Sequence, residues 1–257
     1  MNKLASIVAL FFLIPLFSLV KNPDQDIDYY FRKAHDAEAV RNEGKALENY
    51  LEILRLSPEK QEALCKASEL YCMLGRRQPT EEKRKVYYQK GLELARKAFE
   101  LYPEQAESNF VMSFAMGRIA LIASGEQKIN AVRDIKKFAE RTIKLDPSNF
   151  KGYHVLARWH YEVSSLSSLE RWLVRIAYGA LPAASFAVSI ANYEKSRKLK
   201  PDFLLNYLEE AKAYHANDQK SFAIRLLQMM ADIPDKTSDD PDIRAEGKNL
   251  LNSWTRD

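Results

Sequence analysis

Turn-forming residues are scarce. The 257 residues include only 8 glycines and 10 prolines, together about 7 % of the chain against roughly 12 % in average proteins. A chain so poor in turns is expected to be nearly all helix. Neither G-x-G-x-x-G nor G-x-x-x-x-G-K-[ST] occurs, so the loops that cradle phosphates are missing and the common nucleotide enzymes are disfavoured. Cysteine is limited to Cys65 and Cys72. Seven positions apart on one helix, they sit about 10.5 Å apart along its axis, too far to bridge. The four histidines, His35, His154, His160 and His215, include no pair three or four apart and no H-E-x-x-H, so no metal site is expected. No serine sits in G-x-S-x-G, and covalent catalysis has no support. No cofactor is expected and the chain reads as a non-enzyme.

Charge of one sign is not in large excess either. The net charge of +4 is too small to call for nucleic acid. Two stretches are locally basic: residues 76–97 carry eight basic against three acidic side chains, and 128–144 carry six against two. They read as solvated outer faces of helices, with an acidic partner surface as the alternative.

At the N-terminus, Leu4 to Val20 runs without a charge before Lys21. Residues 1–22 therefore read as a signal peptide or a membrane anchor, and the chain as membrane-anchored or exported. From there on a repeat takes over. Leu-x-Pro recurs at Leu56-Ser57-Pro58, Leu101-Tyr102-Pro103, Leu145-Asp146-Pro147 and Leu199-Lys200-Pro201, with prolines 45, 44 and 54 residues apart. Each closes a helix-like segment, and a second begins just after it, because proline lacks a donor and clashes with the turn before it. Ala46, Tyr50, Ile53 and Pro58 fit the second helix of a tetratricopeptide unit. Tyr153, Leu156, Ala157 and His160 fit a first helix, as do Ala211 and Tyr214. The expected fold is an all-α, tetratricopeptide-like right-handed solenoid of about five units over 27–254, one domain, with an inserted helix and a C-terminal cap.

The standard period is about 34 residues, so two units carry extra length and the unit starting near Tyr153 carries the most. That largest insertion, Ser164 to Ala191, is rich in apolar and small residues. Trp172, Ile176 and Tyr178 at helical spacing suggest a lid or wall over an apolar groove, broken by Gly179 and Pro182. In the usual register the concave side takes Cys65, Glu69, Cys72 and Met73, then Phe110, Phe114 and Gly117. Further along come His154, Arg158 and Tyr161, then Leu208, Lys212 and His215. The lining is apolar at one end and basic at the other. It suits a protein partner along the concave face or, alternatively, a phospholipid with an acidic head. The run Asp239, Asp240, Asp242 lacks the residues of a calcium loop and reads as a turn with an N-cap.

The run from Leu156 to Phe203, with Arg158-Trp159, Leu166-Ser167, Glu170-Arg171 and Gly179 to Pro182, resembles the family called regulators of microtubule dynamics. The likeness covers roughly 30–252 and is strongest from Gly152 onward. The resemblance implies an all-helical domain behind an N-terminal membrane segment, with no known catalytic centre. It also implies partners of two kinds: some members associate with microtubules, and one carries glycerophospholipid in its helical cavity.

Overall fold

The computed structural model describes residues 23–256. Within them the chain is helical throughout. Five antiparallel pairs follow one another: α1 (Pro23–Ala39) with α2 (Glu43–Leu56), α3 (Gln61–Arg76) with α4 (Glu81–Leu101), and α5 (Ala106–Ile122) with α6 (Gly125–Leu145). Next come α7 (Phe150–Ser164) with α9 (Phe186–Leu199) and α10 (Leu204–Ala216) with α11 (Lys220–Met229). Helix α8 (Ser168–Tyr178) is inserted inside the fourth pair, and α12 (Asp240–Trp254) closes the array. This is the tetratricopeptide-like solenoid expected from the repeat.

The local reasons are readable. The four Leu-x-Pro leucines are the last residues of α2, α4, α6 and α9, where proline two positions on forbids another turn. Starts are set by caps: the side chains of Asn42, Thr80, Asn149, Ser167 and Ser185 each accept a backbone N–H three residues on, satisfying donors that the helix itself leaves free. The extra length of the second and third units lies in helices rather than loops, since α4 and α6 have 21 residues each against 14 in α2 and α9.

Small residues let the helices cross closely. The Ser68 hydroxyl donates to the Gly91 carbonyl at 2.8 Å, and a Cβ on Gly91 would lie 2.7 Å from the Cys72 sulfur. Ala46, Tyr50 and Ile53 are buried with Ala34, Ala63 and Ala67 in the first core cluster. Leu156, Ala157 and His160 are buried in the fourth unit, and Ala211 and Tyr214 in the fifth.

The ends of the array meet. Arg77 Nε donates to Asp239 Oδ1 at 2.6 Å, and its other arm reaches Glu43 Oε1 at 3.3 Å. The Ser238 hydroxyl donates to Glu43 Oε2 at 2.8 Å and its N–H to Glu43 Oε1 at 3.2 Å. The acidic run near the end forms the expected turn, with Asp239 at the N-cap position of α12. Asp239 makes no side-chain cap to α12 because its carboxylate is engaged by Arg77. Asp240 is buried and accepts from the N–H groups of Lys236 and Thr237.

The expectation of a membrane-anchored or exported chain is corrected. Among the described residues no helix is long and apolar enough to cross a membrane; α5, the most apolar, has 17 residues and carries Glu107 and Arg118. The apolar run at 4–20, and with it the signal peptide or anchor read over 1–22, lies outside the described residues.

Candidate functional site

The first helices of successive pairs, α3, α5, α7 and α10, carry the expected concave positions. Along α5 the Phe110 and Phe114 rings stack with centroids 5.6 Å apart. A cation caps each end of the stack: Lys151 Nζ lies 4.7 Å from the Phe110 centroid, and the Arg118 guanidinium 4.8 Å from that of Phe114. These are cation–π distances. Lys151 is tied to Glu69 at 2.9 Å and Glu107 at 3.2 Å. Burial opposes its charge, but the two carboxylates outweigh burial and hold the ammonium above the ordinary lysine range. Phe110 is thus sealed, whereas Phe114 is half-buried and Gly117 beside it faces open space.

Between α7 and α10 lies an ion cluster. Lys212 reaches Glu209 at 3.1 Å and Glu246 at 2.7 Å, and Arg158 pairs with Glu162 at 3.4 Å. Glu209 is buried, which by itself favours the neutral acid, yet the charges of Arg158 and Lys212 hold its carboxyl below the usual range. Tyr161 packs half-buried against Phe186, ring centroids 5.8 Å apart.

Two expected lining residues belong to the core instead. Cys72 is fully buried against α4, and burial pushes its thiol up to about 12, so it is neither groove surface nor thiolate. His154 is buried between Tyr193 and Phe203, with Nδ1 3.0 Å from Asn206 Oδ1. Burial pushes its pKa down to about 4. It is a neutral pin joining α7 to α10, not a ligand-facing base. His215 stacks on Trp254 of the cap at 4.0 Å, away from the α5 face.

The lid is displaced as well. Leu169, Trp172, Leu173 and Ile176 are 64, 56, 51 and 66 % exposed, and α8 has no buried residue. The helix lies along α6, an outer helix, where Arg133 donates to the carbonyls of Tyr178 and Gly179. Gly179 takes the left-handed φ of 79° that ends α8. What packs inward from the insertion is Leu181 and Ala184, against Ile135, Trp159 and Val163. Two shallow concavities, of about 340 and 510 Å³, lie between α4 and α6 and beside Tyr102, and neither is lined by an expected groove residue. Among the described residues no cluster could hold a metal ion.

The expected residues that the structure does bring together are the Phe110–Phe114 pair and, through Glu209, Arg158 with Lys212. The sequence reading missed Lys151, Glu107 and Glu209, and gave no role to Arg118. Its only available signal was the rarity of Arg118 on a helix otherwise apolar all round.

A family model described as Regulator of microtubule dynamics protein 1-3 matches residues 28–255. The chain is 25 % identical over 171 residues to Regulator of microtubule dynamics protein 1 of Caenorhabditis elegans, covering 66 % of this chain and 75 % of that one. It is 26 % identical over 178 residues to Regulator of microtubule dynamics protein 2 of Mus musculus (69 % and 43 %). To protein 1 of Homo sapiens it is 23 % identical over 193 residues (75 % and 61 %). It thus spans less than two thirds of the mouse and human relatives. Among solved structures it is similar to a thermophilic TPR protein of Thermus thermophilus, with TM-score 0.64, 14 % identity and coverage of 88 and 99 %. Similarity to yeast Tom70 has TM-score 0.55, 13 % identity and coverage of 90 and 40 %. At such identities the likeness is one of fold.

Proposed function

The chain belongs to the regulator of microtubule dynamics protein 1-3 family, and from that premise we propose that it is a non-enzymatic scaffold that holds a protein partner along the concave face of α3, α5 and α7. The observation that carries this reading is the uncovered part of that face: half-buried Phe114, open space at Gly117, and half-buried Arg118 and Arg158 on the same inner helices. An apolar floor with guanidinium groups beside it is the composition of a recognition surface rather than of a core. The test is a photoreactive residue placed at position 117 and, as control, at Lys137 on the outer face. Capture of a partner from 117 alone supports the reading, and capture only from 137 removes it.

The names of the relatives make a microtubule the first partner to try. The exposed Lys83, Lys85, Lys90 and Arg96 of α4 are an alternative contact for it. Co-sedimentation through them would weaken steeply with salt, because exposed charges are screened within about 8 Å at physiological ionic strength. Carriage of a phospholipid is a second reading, supported by the Phe110–Phe114 stack continued by exposed Leu121 on α5. A phospholipid that co-purifies with the chain and is lost in Phe114→Asp would favour it. An empty protein by native mass spectrometry would count against it.

A further inference from the structure

Among the described residues, Arg118 is the one side chain of the α5 face whose charge is left unanswered. Its Nε is buried without a hydrogen-bond partner, and Arg84 Nε on the neighbouring α4 is in the same state. Each carboxylate of this face already has a cation: Glu69 and Glu107 hold Lys151, Glu162 faces Arg158, Glu209 faces Lys212. Asp239 is divided between Arg77 and Arg76, the latter at 3.6 Å. A planar guanidinium with idle donors is expensive when it is partly withdrawn from water. The Phe114 ring 4.8 Å away fixes the side chain in place but supplies no acceptor.

The neighbours repeat the same charge. Burial, and then the positive fields of Arg158 and Arg76, hold Arg118 below the ordinary arginine range. The charges of Arg118, Arg84 and Arg76 also all act on the buried Tyr88. Arg76, Arg118 and Arg158 stand on α3, α5 and α7, the inner helices of three successive units. Packed helices are about 8–10 Å apart, and an extended chain in the polyproline II form, with three residues per turn and a rise of about 3.1 Å each, brings every third side chain to one face about 9 Å apart, so this row matches an acidic side chain at every third position. Gly117 leaves the α5 backbone bare beside Arg118, which gives such a chain room to lie close.

We propose that the row Arg76, Arg118, Arg158 receives an extended acidic segment of a partner protein, with Arg118 as its anchor. This rests on the concave-face reading and narrows it to a partner chemistry. Guanidinium is suited to the task because its fork matches a carboxylate bidentately.

The test is fluorescence anisotropy on the full chain. The probe is a short labelled peptide with Glu at every third position between Ser and Gly, beside the same peptide with Gln. The Glu peptide is expected to bind and the Gln peptide not to. Arg118→Met should weaken binding about tenfold or more, as loss of a charge-assisted contact does, while Lys137→Glu on the outer face leaves it unchanged. Arg118→Lys, which keeps the charge but not the fork, should fall between. The melting temperature of the free Arg118→Met variant should not drop, since an unanswered charge has been removed; were that variant to fail to fold, Arg118→Lys carries the same comparison. Equal affinity of the wild type and both variants overturns the proposal, and so does an equal loss in Lys137→Glu. Inorganic phosphate that raises the melting temperature through Arg118, with no peptide bound, also overturns it, in favour of a phosphate ligand. Partner capture at position 117 without peptide binding sinks this inference alone; peptide binding with no capture there sinks the reading of a natural partner instead.

Discussion

Arg77 and Asp239, 162 residues apart, share a 2.6 Å hydrogen bond that joins the end of α3 to the start of α12. With Glu43 as the second acceptor of the same guanidinium, the pair ties the second unit, the first unit and the cap at one point. A solenoid is otherwise held together only by contacts between neighbours, so this latch constrains the curvature of the whole array and with it the spacing of the inner helices.

Removing the latch should therefore cost more than a surface ion pair. Arg77→Met and Asp239→Asn are each expected to destabilise by about 1–2 kcal/mol. Being in one network, they should fall short of additivity in a double-mutant cycle. Small-angle scattering should show a more open particle. Additive losses with unchanged scattering would mean that neighbour packing alone sets the curvature.

Two glycines should respond in opposite directions. Gly91→Ala drives a Cβ to 2.7 Å from the Cys72 sulfur and 3.1 Å from the Ser68 carbonyl oxygen, and backbone cannot step aside, so a loss of about 1–3 kcal/mol is expected. Gly117→Ala meets nothing within 4 Å and should gain up to about 1 kcal/mol of helix propensity. Thermal melts of the two variants check both signs at once.

His154 makes stability depend on pH. Its folded pKa of about 4 lies below the 6.5 of the free side chain, so between those values the unfolded chain binds more protons than the folded one. Stability is then full above about 6.5 and falls as the pH drops toward 4, by no more than about 3 kcal/mol from this group. His160, whose pKa burial also lowers, acts with the same sign. The difference between the wild type and His154→Gln isolates the first contribution; parallel pH profiles would refute it.

Helix α8 should be dispensable for stability. Trp172→Ser and Ile176→Ser alter side chains that are more than half exposed, so each should change unfolding free energy by no more than about 0.5 kcal/mol. Solubility should improve, because an exposed apolar patch favours association. A loss several times larger would show that this face is covered in solution.

Much of the fold was legible in residue order because the physics behind it is local. Proline after Leu56, Leu101, Leu145 and Leu199 ends a helix whatever surrounds it, and the 3.6-residue period of Ala46, Tyr50 and Ile53 marks a buried stripe before any partner is known. Of the site, the same logic recovered the Phe110–Phe114 pair and the cations Arg158 and Lys212, all placed by repeat register.

Register could not tell which way a half-turn difference points a side chain. Cys72 and His154 share the inner helices with the true surface residues, yet the close approach of α4 at Gly91 encloses the first and Asn206 on α10 claims the second. In the same way, the apolar spacing of Trp172 and Ile176 determined an amphipathic helix but not its neighbour. The carbonyls of Tyr178 and Gly179, held by Arg133 of α6, set α8 on the outer side of the array. The sequence by itself determined helices, their ends and their stacking order, since those follow from backbone donors and short-range periodicity. The tertiary structure decided which charges found partners, joining Arg77 to Asp239 and leaving Arg118 with no acceptor among the described residues, because pairing depends on groups brought together from distant parts of the chain.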